Sequence, residues 1–406
     1  MTSSTATTLD TAEPLPVSAL LALAMTGFIC IVTETLPAGL LPQISDGLSI
    51  TSAMAGQTVT AYAVGSLVAA IPLTILTRSW KRRSVLLSTI IGFLVFNSLT
   101  ALSPDIWLTL IARFFAGASA GLAWSLLAGY ARRMVLPHQQ GKAMAIAMVG
   151  TPIALSLGVP LGTWLGSAVG WRSAFAIMSA LTLVLIVWVL AKVPDYPGQT
   201  DRQAMPLRRV LSTPGVRPVL ATVITWMLAH NILYTYVAPF AAQAGLLERV
   251  DLVLLVFGVA ALVGIAITGR LVDRHLRSAV LGSLGAFALV ALMFVWLSSA
   301  PLAVLVGIAV WGVSFGGAAT LLQTALADSA GDGADVALSM NVVAWNGAIA
   351  GAGLLGGALL DGWGARAFAP AVLILLLIAF AIAWTARSHG FRPGARAAGA
   401  SVASGH

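Results

Sequence analysis

Twelve stretches of this chain are apolar for about twenty residues each, separated by short breaks marked by charge, proline or glycine. They run approximately over 16–42, 52–76, 84–102, 106–131, 142–168, 172–192, 216–243, 251–270, 278–298, 302–327, 335–360 and 367–386. Twenty helical residues at 1.5 Å each reach about 30 Å, the thickness of a bilayer's hydrocarbon. No water is available there to satisfy a backbone, so such runs fold as helices. Only 9% of the 406 residues are charged, against roughly a quarter in a soluble domain. The sequence therefore predicts an all-α integral membrane protein of twelve transmembrane helices, with the lipid bilayer as its main partner.

The basic residues set the topology, because short cytoplasmic loops retain Lys and Arg. Alternate connections place 18 of the 22 Lys and Arg on one side, in groups such as Arg78 to Arg83 and Arg270 to Arg277. Only Arg172, Arg249 and Arg366 fall on the other side, and Arg113 lies inside a span. Both termini are thus expected in the cytoplasm. The net charge of +8 is a topology signal, and nucleic acid is not expected as a partner. Met1 to Pro14 carries no Lys or Arg, unlike a signal-peptide n-region, so the first run should stay in the mature chain. With three Lys against 19 Arg and abundant Ala and Gly, the composition suits a bacterial inner membrane protein. Cys30, the single cysteine, can form no internal disulfide.

The longest polar connection, Pro194 to Pro214, divides the helices six and six. The expected organisation is a tail over 1–15, a six-helix bundle over 16–192, a linker over 193–215, a second bundle over 216–387 and a tail over 388–406. A basic cluster follows the second and the eighth runs about 192 positions apart, and glycine-rich stretches occupy matching places in runs five and eleven. Paired halves with breakable helices are a sequence mark of secondary transporters.

Glu34, in Thr33-Glu34-Thr35-Leu36-Pro37-Ala38-Gly39-Leu40-Leu41-Pro42, is the one acid deep in a span, and Arg113 is the one base. Glu34 lies eight residues before Pro42 and Arg113 eight residues after Asp105, so both sit about 12 Å deep. Burial favours the neutral form of any carboxyl group, and a nearby guanidinium favours the ionised form. A site moving between these surroundings can take up and release a proton. The competing reading is a static ion pair that fixes packing; intramembrane charges favour function.

Run five carries Gly158-Val159-Pro160-Leu161-Gly162, suited equally to close helix packing and to a bend. In run seven His230 and Tyr234, and Asn231 and Thr235, stand one turn apart and form a polar stripe. For His230 a hydrogen-bonded structural role outweighs a proton relay. Thr33, His230, Asn231, Tyr234, Gln323, Asn341, Trp345 and Asn346 are candidate cavity residues. Neither a phosphate loop nor a metal-ligand spacing occurs, so no enzyme activity, metal or cofactor is expected. Without a nucleotide-binding domain, an ion gradient is the plausible energy source.

These segments together resemble the major facilitator superfamily, most closely the twelve-helix drug:proton antiporter branch and its bacterial arabinose-, sugar- and purine-efflux-like members. The resemblance spans Leu15 to Thr385. It rests on Glu34 to Pro42, Arg113 to Gly117, Gly158 to Gly166 (the antiporter-type motif, with Gly158, Pro160 and Gly162), Gly170 to Phe175, Tyr234 to Phe240 and Asn346 to Gly357. It implies two six-helix bundles related by a pseudo-two-fold axis, a central cavity and alternating access. It also implies cytoplasmic gating loops built from Arg78, Arg82 and Arg83 in the first half and Gly269, Asp273 and Arg274 in the second. The first-half loop departs from the family pattern: Thr77 stands where an acid is usual and Trp80 where a glycine is usual, which implies a weakened latch there. The expected function is proton-coupled efflux of a small molecule such as a drug, sugar or nucleobase-like metabolite, by a monomer with Glu34 and Arg113 in the proton path. Proton-coupled uptake of a metabolite is the alternative, and a non-transporting receptor or scaffold a distant one.

Overall fold

The computed structural model describes residues 15–136, 139–198 and 206–394. Most of both tails, and with them Arg396, and Arg202 of the linker lie outside the described residues. The first half contains α1 (Val17–Gly39), α2 (Leu41–Leu48), α3 (Ser52–Leu76), α4 (Arg82–Leu102) and α5 (Ile106–Arg133). It continues through α6 (Gln140–Met148), α7 (Gly150–Ile153), a π turn over Ala154–Gly158, α8 (Val159–Val169) and α9 (Trp171–Lys192). After α10 (Leu207–Ser212) in the linker, the second half contains α11 (Val216–Thr235), α12 (Val237–Ala242), α13 (Val250–Leu297), α14 (Pro301–Gly316), α15 (Ala318–Ala330), α16 (Ala334–Trp363) and α17 (Phe368–Thr385).

Among the described residues, eleven helices are long and apolar enough to cross a membrane. One of them, continuous over Leu247–Leu297, has 51 residues, or about 75 Å of helix. It is interrupted at His275, whose φ of −134° and ψ of 33° are not helical. That kink turns one element into two crossings, which restores the twelve expected from the sequence. The break falls one residue after the basic Gly269 to Arg274 segment.

Local chemistry explains the ends. Asp105 accepts from the Trp107 and Leu108 N–H groups at 2.9 and 3.0 Å and starts α5, as an acidic N-cap should. Gly170 and Gly364 take φ of +91° and +75° just before the last crossing of each half, a conformation that side chains with a Cβ resist.

The two halves repeat one packing device. Gly65 lies against the Phe114 carbonyl and Gly117 against that of Tyr62, which closes α3 onto α5. Gly264 lies against the Val313 carbonyl and Gly316 against that of Ala261, which closes α13 onto α14. All four residues in the second set stand 199 positions after their counterparts, whereas Gly170 and Gly364 are 194 apart. The pseudo-symmetry is therefore carried by backbone contacts that only glycine permits, with a few residues gained or lost between repeats. Apolar side chains such as Leu183, Val187, Leu289 and Trp296 remain exposed, as lipid-facing residues should.

The fifth crossing is built on the first. The face of Gly150, Gly158, Gly162 and Gly166 receives Ala24, Phe28, Val32, Leu36 and Leu40 of the first crossing, at the four-residue spacing of one helix face. Between Gly150 and Gly158 the π turn widens the helix, with the Ser156 hydroxyl donating to the Pro152 carbonyl at 2.7 Å. Close packing and a distortion, alternatives at the level of sequence, occur together.

Candidate functional site

Helix α1 ends at Gly39, two residues after Pro37, and Leu40 leaves the helical conformation before α2 begins. A Cβ on Gly39 would collide with Thr163 of α8. The break therefore lies where the first and fifth crossings meet. Just before it stands Glu34, half-buried, while Arg113 of α5 is fully buried. Arg113 Nη2 donates to the main-chain carbonyl of Glu34 at 3.3 Å, and Nε donates to the Thr58 carbonyl at 3.2 Å. The shared depth expected from residue counting is thus physical contact. The contact is with the peptide of Glu34, and its carboxylate makes no ion pair among the described residues. Arg113 also sits over the Tyr62 ring at 4.8 Å and the Phe175 ring at 5.5 Å. Its Nη1 is buried with no hydrogen-bond partner among the described residues, an expensive state for a donor and one that leaves a place for an acceptor.

Thr33 points away from this site: it is fully buried and accepts from Asn97 Nδ2 of α4 at 3.0 Å. It belongs to the seam inside the first bundle.

In the second half, His230 and Tyr234 of α11 enter an aromatic cluster. The His230 ring stacks on Phe315 at 3.5 Å and 3°, and on Tyr234 at 5.3 Å. Trp311 Nε1 lies 3.2 Å from His230 Nδ1. An indole N–H can only donate, so Nδ1 accepts, the ring proton is on Nε2 and the imidazole is neutral in this arrangement. His230 is placed as a packed, hydrogen-bonded post. Phe257 and Trp311 also flank Tyr234. Among the described residues its buried hydroxyl has no hydrogen-bond partner, but it faces Thr35 of α1, within electrostatic reach of Glu34. Thr35 and Tyr234 are 199 positions apart, the repeat offset of the glycine contacts, so equivalent positions of the two halves meet across the axis.

The remaining candidates do not converge on a common point by hydrogen bonds. Asn231 Nδ2 donates to the Met227 carbonyl at 2.9 Å, and Asn346 Nδ2 to that of Val342 at 3.0 Å, each within its own helix. Asn341 is buried with Oδ1 unpartnered. Trp345 is half-buried and Gln323 exposed.

Sequence reasoning missed a group that joins the halves. At the break between α11 and α12, Tyr236 turns its hydroxyl to the Gly353 carbonyl of α16 at 2.7 Å. Gln57 Nε2 of α3 donates to the Tyr236 hydroxyl at 3.3 Å and to the Gly353 carbonyl at 3.2 Å. Gly56 and Gly356 leave room for the Tyr236 ring. These residues lie on the face opposite the basic loops, and they tie the third, eleventh and sixteenth helices together there. Gln57, as the one amide in the apolar run over 52–76, was the available signal.

On the basic face, the first-half loop engages the start of the linker. The Arg83 N–H donates to Asp195 Oδ1 at 3.1 Å and the Arg82 N–H to the Tyr196 carbonyl at 2.8 Å. Tyr130 donates to the Pro194 carbonyl at 2.6 Å, and Arg133 Nη1 to that of Pro197 at 3.1 Å. An acid is thus present at this loop despite Thr77, supplied from beyond α9. Arg78, Arg270, Asp273 and Arg274 are exposed.

The family model for the Major Facilitator Superfamily matches residues 23–352. The purine ribonucleoside efflux pump NepI of Escherichia coli O6:K15:H31 (strain 536 / UPEC) is 30% identical over 320 residues, covering 77% of this chain and 81% of that protein. The inner membrane transport protein YdhP of Escherichia coli O157:H7 is 29% identical over 367 residues, 88% of this chain and 94% of its own. Among solved structures, the inward open conformation of the xylose transporter XylE from E. coli shares the fold, with a TM-score of 0.75 at 14% identity over 94% of this chain and 98% of that one. Twelve crossings in two pseudo-symmetric halves, joined at their axis and matched by this family model over most of their length, place the chain in the Major Facilitator Superfamily of transporters.

Proposed function

We propose that this transporter is a proton-coupled antiporter that exports a small molecule by alternating access. The observation that carries the reading is the half-buried Glu34, whose peptide touches a buried Arg113 whose Nη1 has no partner among the described residues. Protonated, Glu34 needs no counter-charge. On losing its proton, the carboxylate is the nearest acceptor of matching charge for Nη1, and a charge-assisted hydrogen bond forms. That exchange moves the side chain beside the junction where Thr35 meets Tyr234, so the proton state bears on how the halves meet.

The energetics suffice. One charge crossing the membrane is worth about 2.3 kcal/mol per 100 mV, more than the roughly 1.4 kcal/mol of a tenfold substrate gradient. The proton gradient is the energy source, with no cofactor. In this reading the basic face is the cytoplasmic one and both termini are inside, in a bacterial inner membrane as for YdhP, with the chain acting as a monomer. NepI's naming as a purine ribonucleoside pump supports a nucleoside-like cargo, whose base and ribose edges would suit the amides of Gln323, Asn341 and Asn346 and the ring of Trp345.

The test is counterflow in proteoliposomes with an imposed pH gradient and labelled nucleosides. An acidic face opposite the basic loops should drive substrate outward, and Glu34→Gln should abolish the pH dependence while leaving exchange intact. Pumping by Glu34→Gln equal to wild type, or uptake driven by the same gradient, sinks the proposal.

A further inference from the structure

Away from the transport axis, the second half contains a cleft of about 490 Å³ between the start of α11 and the end of α17, within the roughly 300–1,000 Å³ range of small-ligand sites. It opens on the basic face, and its walls are graded. Arg217, Ser388 and His389 line the end nearer water, and Ala221 and Ile382 line the end inside the membrane, one turn along each helix.

The cleft is built rather than incidental. Gly215, at φ +97°, lets the His389 carbonyl approach so closely that a Cβ would collide with it. Ser329 donates to that same carbonyl at 3.2 Å and holds the loop in place. The carbonyl end of α17 would repel an anion, but Arg277 occupies it. Its Nη1 donates to the Ala383 and Phe391 carbonyls at 2.8 and 3.1 Å, and its Nη2 to that of Trp384 at 2.8 Å.

Arg217 is the free cation at the mouth. Its Nε is fixed on the Leu211 carbonyl at 2.9 Å, and its terminal nitrogens make no hydrogen bond among the described residues. A guanidinium anchored at Nε presents the planar two-donor edge that matches a phosphate. Cation at the water end, hydroxyl and imidazole beside it and an apolar wall below reproduce the polarity profile of a phospholipid at the bilayer surface. Basic pockets between transmembrane helices on this side of a membrane suit anionic headgroups.

We propose that this cleft is a binding site for an anionic phospholipid. Arg217 holds the phosphate, the Ser388 and His389 side chains, which meet each other at 2.9 Å, line the headgroup end, and an acyl chain lies along Ala221 and Ile382. The site is independent of the transport reading.

The experiment is native mass spectrometry of the detergent-purified full-length chain, titrated with phosphatidylglycerol, phosphatidylcholine or inorganic phosphate. One phosphatidylglycerol should bind about tenfold or more tighter than phosphatidylcholine, because both carry the phosphate that Arg217 holds but only phosphatidylcholine adds a trimethylammonium cation for Arg217 to repel. Arg217→Ala should erase that margin. Ala221→Trp, which fills the apolar end without changing charge, should weaken phosphatidylglycerol binding as well, so the result does not rest on one variant's folding. Equal binding of the two lipids overturns the proposal. So does wild-type binding in both variants, or inorganic phosphate binding as tightly as phosphatidylglycerol, which would show that no acyl chain is seated.

Discussion

At the scale of the residue, the two intramembrane charges have divided roles. Arg113 is enclosed by Thr58, Tyr62, Phe175 and the Glu34 peptide, whereas the Glu34 carboxyl keeps access to its surroundings. A buried guanidinium spanning several helices is structural as well as electrostatic: Arg113→Ala removes the bonds that tie α5 to the Thr58 and Glu34 carbonyls of two other helices. This variant should lose several kcal/mol of stability, on the order of a broken buried charged network, and its thermal midpoint in detergent should fall accordingly. Tyr234 makes the opposite prediction. Its hydroxyl has no partner in this conformation, so Tyr234→Phe should leave the midpoint within about 2 °C of wild type. If the hydroxyl meets Glu34 during the cycle, the same variant should shift the pH profile of counterflow; an unchanged profile would confine Tyr234 to packing.

At the scale of the element, the fifth crossing shows how small residues act. A side chain at Gly162 has to displace Leu36, and one at Gly158 has to displace Phe28 and Val32. Gly158→Leu should therefore push α8 off α1, at the roughly 1–3 kcal/mol typical of overpacking. The loss should appear as a lower thermal midpoint together with reduced flux, because α1 carries Glu34. The linker is a second case. Asp195 caps the Arg83 amide although the usual loop acid is replaced by Thr77, so Asp195→Ala should raise hydrogen exchange at the Arg83 amide without altering that of α13. Unchanged exchange would show that the main-chain contacts at Tyr196 and Pro194 suffice.

At the scale of the molecule, the halves are held together from the middle of the bundle to the face opposite the basic loops. Gly258 packs on Leu155 and Ser156, and Gly353 on Thr60, with the Gln57, Tyr236 and Gly353 hydrogen bonds beside them. Tyr236→Phe removes one strong bond from that seal, a change of about 1 kcal/mol, or roughly fivefold in the balance between closed and open forms. With Cys30→Ser as background, a cysteine replacing Ala53 should react about that much faster with an impermeant thiol reagent in the Tyr236→Phe protein. An unaltered rate would mean that the seal rests on the glycine packing alone.

How far the sequence reached follows from the range of the forces involved. Apolar length and loop charge act over one segment at a time, so twelve crossings, their order and the depth of Glu34 and Arg113 were legible from residue spacing. Side-chain direction and long-range contact were not. Counting placed Glu34 and Arg113 level, but only packing shows that the guanidinium meets the Glu34 peptide, that Thr33 turns toward Asn97, and that His230 accepts from Trp311. The repeat was visible as an approximate offset near its basic loops; its 199-residue register appears only where Gly65 and Gly264 let backbones touch. Bilayer thickness writes itself into local composition. The partner of a buried polar atom depends on which distant helix lies against it, and that is a property of the assembled bundle.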